Sequence, residues 1–174
     1  MIDMKKIILL LLATVILLPC FSGCADSLLP KEVPEDFSFA LTWGVYGISS
    51  YDSRTGKLVK TTDATNPRDY VTYVKLSDEV MELIYKKLRA LNVESYPDEY
   101  DPDPLMASDP SADLILTVRR GDQVKTIAAK DVSLSFDALF PKGKKFINTC
   151  TDISDILTST EEWKALPDYE FYYD

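Results

Sequence analysis

Histidine is absent from all 174 residues, and this gap removes more chemistry than any residue present supplies. Without imidazole there is no Ser-His-Asp or Cys-His nucleophile, no histidine-ligated zinc and no usual general base near neutral pH. Cysteine is scarce as well. Of the 3 cysteines, Cys20 and Cys24 lie near the start and only Cys150 lies in the body, so no disulfide can form within the folded part. Positive charge is short: 19 Lys and Arg against 28 Asp and Glu leave a net charge of −9. Such an exterior is a poor match for nucleic acid or for anionic lipid, and no nucleic-acid partner is expected. No cofactor is expected either.

Long apolar runs are lacking too, except near the N-terminus. Lys5 and Lys6 precede residues 7–18, which are apolar apart from Thr14. That is the positive region and apolar region of a secretory signal. As a helix the run reaches about 18 Å, against a hydrocarbon core of about 30 Å. It is too short for a permanent span. Pro19 ends the signal helix, and Ser22 and Gly23 stand directly before Cys24. "FSGC" resembles the lipobox of bacterial lipoproteins, in which signal peptidase II cuts before a cysteine already carrying diacylglycerol. Phe21 stands where that family usually has Leu. Cys20 fits worse, because Pro19 would take the small-residue position before the cut. Ordinary secretory cleavage nearby is the alternative. Asp3 is out of place in a positive region, so Met4 is a second candidate for the start.

The resemblance implies a signal peptide over 1–23, cleavage between Gly23 and Cys24, and acyl chains, palmitate among them, on Cys24. It implies a cell-membrane protein, lipid-anchored and facing the extracytoplasmic side. The membrane is then reached through the acyl chains, which suffice for stable attachment.

Residues 25–36, "ADSLLPKEVPED", carry two prolines and five charges without periodicity and read, with Cys24, as a tether over 24–36. A single domain over 37–174 follows. From Phe37 the pattern alternates strictly, with Phe39, Leu41, Trp43 and Val45 on one face, as in a strand with one buried side. Residues 52–56 supply a turn, 58–62 return as the hairpin partner of that strand, and 70–76 form a third strand. Ser77 caps a helix with Asp78 and Glu79 in its first turn. Its apolar stripe is read as Val80, Leu83, Ile84, Leu88 and Leu91, and Asn92 ends it. Residues 96–111 hold four prolines and five acids and read as a long exposed acidic loop. A hairpin over 113–119 and 123–129 turns at Gly121-Asp122. A helix over 144–157 places Phe146, Cys150, Ile153 and Leu157 on one stripe, with Cys150 as a buried core residue. Ser159 or Thr160 caps a last short helix.

The order ββ-β-α-ββ-α predicts an α+β two-layer sandwich, about five mostly antiparallel strands with two helices on one face. "YDSRTGKL" (51–58) and "YPDEYD" (96–101) are similar to pieces of uncharacterised small α+β domains on bacterial envelope lipoproteins. This likeness covers roughly 37–132 and implies the fold and the address, with no catalytic residues to carry over.

Three candidate sites stand out. Asp98, Glu99, Asp101, Asp103 and Asp109 offer oxygen ligands, yet position 105 is leucine, the glycine of a calcium loop is missing, and Pro102 and Pro104 restrict wrapping. A solvated loop without metal is the better reading. Arg120-Gly121-Asp122 spells an adhesion tripeptide, but Gly-Asp is also what a tight turn needs. Trp43, Tyr46, Tyr51, Tyr70, Tyr73, Tyr100 and the "YEFYY" tail could line an aromatic face for an envelope protein or glycan. The expected function is a lipid-anchored, non-catalytic binding or structural module of the cell envelope, monomeric. The alternative is a small hydrolase or transferase working with carboxylates of residues 98–109.

Overall fold

The alternation beginning at Phe37 becomes β1 (Phe37–Trp43), whose apolar side chains lie at the middle of the buried face of a sheet. The architecture is that of a computed structural model, which describes residues 28–45, 49–61, 68–105, 111–133 and 140–168. β2 (Ser49–Asp52), β3 (Lys57–Thr61) and β4 (Asp69–Tyr73) follow β1. Next come α1 (Asp78–Leu91), a 3-10 turn (Val93–Ser95), β5 (Ala112–Arg120) and β6 (Gln123–Val132). α2 (Pro141–Thr158) and α3 (Glu161–Lys164) complete the order. The class is α+β. The strands form one sheet in the order β4-β3-β2-β1-β5-β6, each neighbouring pair antiparallel.

The pairing registers align Thr72, Leu58, Tyr51, Leu41, Leu116 and Ile127 in one row across the sheet. Except for half-buried Thr72, these residues are fully buried, and they join Ile84, Leu88, Phe146, Cys150, Ile153 and Leu157 of the helices in a single core. Each large apolar side chain so buried contributes about 1.5–3 kcal/mol. Trp43 and Trp163 meet at 5.7 Å between ring centroids, which pins α3 to the sheet.

Several expectations need correction. The sheet has a sixth strand, β2, so β3 pairs with β2 and not directly with β1. "SSYD" carries only one large apolar residue, Tyr51, and therefore shows no alternation to read. β4 ends at Tyr73, although Val74 is still buried and bonded to Gly56. α2 starts at Pro141, because proline is well suited to a first helical position where its missing N–H costs nothing. Leu83 does not face the sheet. It is 46% exposed, and the buried stripe of α1 is Ile84, Tyr85, Leu88 and Leu91. Tyr85 takes the inner place because its hydroxyl donates to the carbonyls of Pro30 and Glu32.

The segment read as a tether enters the core from Leu28. Leu28 and Leu29 are buried, and the Leu28 N–H donates to Glu94. The acidic segment is likewise anchored where it is described. Tyr96 is buried, and residues 98–100 lie along β6 through Tyr100 N–H to Ala128 O and Ala128 N–H to Asp98 O.

Candidate binding cleft

The turn between β2 and β3 is fastened at almost every polar atom. The Asp52 carbonyl accepts from the N–H groups of Thr55 (3.2 Å) and Gly56 (2.8 Å), and its carboxylate accepts from the Arg54 N–H (2.9 Å). An Asp at the first position of such a turn provides this side-chain bond. Gly56 stands at φ 70°, a conformation that costs glycine nothing. Ser53 is tied to Phe39 twice, N–H to carbonyl at 2.9 Å and back to its hydroxyl at 2.8 Å. Arg119 on β5 reaches Asp52 at 3.4 Å, and both partners are half-buried.

The chain leaving β4 is held against this turn. Val74 N–H donates to the Gly56 carbonyl at 2.7 Å, and the Tyr51 hydroxyl donates to the Val74 carbonyl at 3.0 Å. Ser77 then caps α1, its hydroxyl accepting from the Val80 N–H. Between the turn and this connection lies an open cleft of about 440 Å³. Ser53, Arg54 and Thr55 form one wall, Tyr73, Lys75 and Leu76 the other, with Tyr51 beneath and Asp78 and Met81 of α1 at the end.

The cleft therefore combines an apolar lining with hydroxyls, two cationic side chains and a carboxylate. Burial, helped by the negative Asp52, pushes the Tyr51 phenol up to about 12, so it stays a proton donor at neutral pH. At the mouth of α1 a hydrogen bond from Ser77 holds the Glu79 carboxyl below its usual range. Such an arrangement can orient a ligand by hydrogen bonds and charge while a ring or aliphatic part packs on Tyr73, Leu76 and Met81.

The residues singled out in the sequence are dispersed. Gly23, Cys24 and the rival Cys20 lie outside the described residues, as do Tyr46, Asp109 and the "YEFYY" tail. Among the described residues no helix is long and apolar enough to cross a membrane. Of the aromatic set, Trp43 and Tyr51 belong to the core, and Tyr100 packs edge-on against Tyr96 and Phe146. Tyr70 is half-buried, whereas Tyr73 is 68% exposed at the rim of the cleft. Asp98 pairs with Lys125, Asp101 accepts from the Asp103 N–H at 3.0 Å, and Glu99 bridges to Ala128. Among the described residues no group of three or more potential metal-ligating side chains forms. Gly121, at φ 53°, makes the β5–β6 turn, but Arg120 is half-buried in the strand opposite Phe37. Cys150 is fully buried, and burial pushes its thiol up, away from reactivity.

Compared with known protein families and with curated proteins, the chain matches none. The site must be judged on its own geometry. Arg54, Lys75 and Met81 drew no notice in the sequence because the β3–β4 register, with Gly56 opposite Val74, is what brings them together.

Proposed function

We propose that the chain is made as a lipoprotein precursor, cut between Gly23 and Cys24 and acylated on Cys24. Its domain would then stand on the extracytoplasmic side of the cell membrane and act there as a non-catalytic binding module. The "FSGC" sequence after a short apolar run supports the anchor. The cleft supports the binding role, and one observation carries it. A rigidly hydrogen-bonded turn and the Val74–Gly56 and Tyr51–Val74 bonds hold polar, cationic and aromatic groups around an open hollow. Pre-organisation of this kind reduces what a ligand must order on binding. The ligand class that fits is an envelope glycan or protein segment offering hydrogen-bonding groups beside an apolar part.

Two measurements test the reading. Radiolabelled palmitate should enter the wild-type chain and fail to enter Cys24→Ala; label in the variant would remove Cys24 as the anchor. Envelope components captured by the wild-type chain should be lost with Arg54→Glu, which alters an exposed turn side chain and spares the backbone bonds. Undiminished capture by Arg54→Glu would place binding elsewhere.

A further inference from the structure

The two edges of the sheet are treated differently. At the β6 edge the chain lays residues 98–100 against Ala128, and the β5–β6 ladder is irregular between Ala112 and Leu114. Among the described residues the β4 edge has neither protection. Because Val74 N–H is directed at Gly56, the even-numbered positions of this strand point their backbone groups at β3 and the odd-numbered ones point them outward. Among the described residues, nothing takes up the outward N–H and C=O of Val71 and Tyr73. Their side chains, 48% and 68% exposed, stand on the open face of the sheet. An uncovered edge of this kind is a template for another strand.

We infer that the β4 edge pairs antiparallel with β4 of a second copy of this chain, about a two-fold axis through Thr72. The strand's own residues choose that register. Only outward-facing positions can exchange hydrogen bonds, so the axis must pass through Val71, Thr72 or Tyr73. An axis at Val71 sets Tyr73 against the partner's Asp69 and leaves Lys75 without an opposite charge among the described residues. An axis at Tyr73 sets Asp69 against the partner's Ser77, whose carbonyl already accepts from the Met81 N–H. With the axis at Thr72, Asp69 faces the partner's Lys75 and Val71 faces the partner's Tyr73, each twice by symmetry. Opposite charges and aromatic with β-branched residues are favourable cross-strand pairs, and a self-complementary patch is what a two-fold contact requires. The seam runs along the side of β4 away from the 53–56 turn but shares Tyr73 and Lys75 with one wall of the cleft, so in the dimer the partner's Val71 and the partner's Asp69 stand beside that wall. This replaces the monomer expected from the sequence and does not rest on the cleft's role.

Directly opposed, non-hydrogen-bonded residues have Cα atoms about 4.5 Å apart, within disulfide reach, whereas diagonal neighbours lie roughly 7–8 Å apart. The full chain in detergent, treated with a mild oxidant, should double in mass for Thr72→Cys. Val71→Cys, Tyr73→Cys and the unsubstituted chain should not. In the Thr72→Cys background, Asp69→Lys or Lys75→Asp should each abolish the cross-link, and both together should restore it. Thr72→Cys remaining monomeric, or joining a different protein, would overturn the second copy as occupant. Cross-linking through Val71→Cys or Tyr73→Cys in its place, or no rescue by the double charge exchange, would overturn the register on which the pairing rests.

Discussion

The carbonyl oxygen of Pro102 occupies the place where position 143 would carry a Cβ: one placed on Gly143 would lie 2.0 Å from it. The first turn of α2 thus rests directly on the backbone of the acidic segment. Alanine normally improves a helix over glycine by about 1 kcal/mol, but here the obstacle is backbone and cannot rotate away. Gly143→Ala should therefore destabilise by about 1–3 kcal/mol, or roughly 2–4 °C in Tm per kcal/mol. Asn148→Ala, exposed on the same helix, should stay within about 0.5 kcal/mol. A Tm for Gly143→Ala at or above wild type would mean that the contact is not tight.

The burial along α1 separates two neighbouring residues that look equivalent in sequence. Ile84 is wholly buried and Leu83 is largely exposed. Ile84→Ala should cost about 2–5 kcal/mol, and Leu83→Ala should cost less than about 1 kcal/mol. Urea unfolding of both variants decides this, since equal losses would mean the helix is rotated from the position described.

These two cases show what could be read in advance. Helical spacing located α1, Ser77 and Asn92 marked its ends, and Phe37 to Trp43 announced their strand by alternation. Spacing alone could not decide between Leu83 and Tyr85, because the choice depends on the Pro30 and Glu32 carbonyls, distant in sequence, that receive the Tyr85 hydroxyl. β2 was hidden for a related reason: Ser49, Ser50 and Asp52 have little strand preference, and pairing with β1 and β3 on both sides overrides it. The turn at residues 52–56 was legible, yet the cleft was not. It arises from Gly56 meeting Val74, a contact set by strand register. Leu28 and Leu29, beside prolines and charges, likewise give no periodic signal of their burial.

Alkaline pH should weaken the fold through Tyr51. Burial, then the charge of Asp52, raises its phenol from 10.0 to about 12. Below about pH 10 both folded and unfolded chains hold the proton, and its contribution to stability is fully present. Above that the unfolded chain ionises first, so stability falls until the folded pKa is passed. A rise of that size corresponds to stability on the order of 3 kcal/mol. Tyr96, raised to about 12 by burial and then by Tyr100, adds in the same direction. Urea midpoints should drop between about pH 10 and 12, and drop less in Tyr51→Phe. At neutral pH that variant should lose only about 0.5–1.5 kcal/mol, the worth of the bond to Val74. An identical alkaline slope in Tyr51→Phe would show that the phenol is not protected by the fold.

The acidic segment should show no preference for calcium. Asp98 is engaged by Lys125, the Asp101 carboxylate turns back onto the Asp103 N–H, and the carbonyl of Pro102 is packed on Gly143. These commitments leave the carboxylates divided between separate tasks. An extracellular-grade site would have a Kd of about 1 mM. Ten millimolar calcium, about ten times that Kd, would then stabilise by about 1.4 kcal/mol, or roughly 3–6 °C. Screening of the net charge also stabilises, but magnesium at equal concentration screens equally well. The expected result is the same small Tm shift with either ion, unchanged in Asp101→Asn, whose amide oxygen can still accept from Asp103. A calcium-specific gain of several degrees that disappears in Asp101→Asn would instead establish a metal site in this segment.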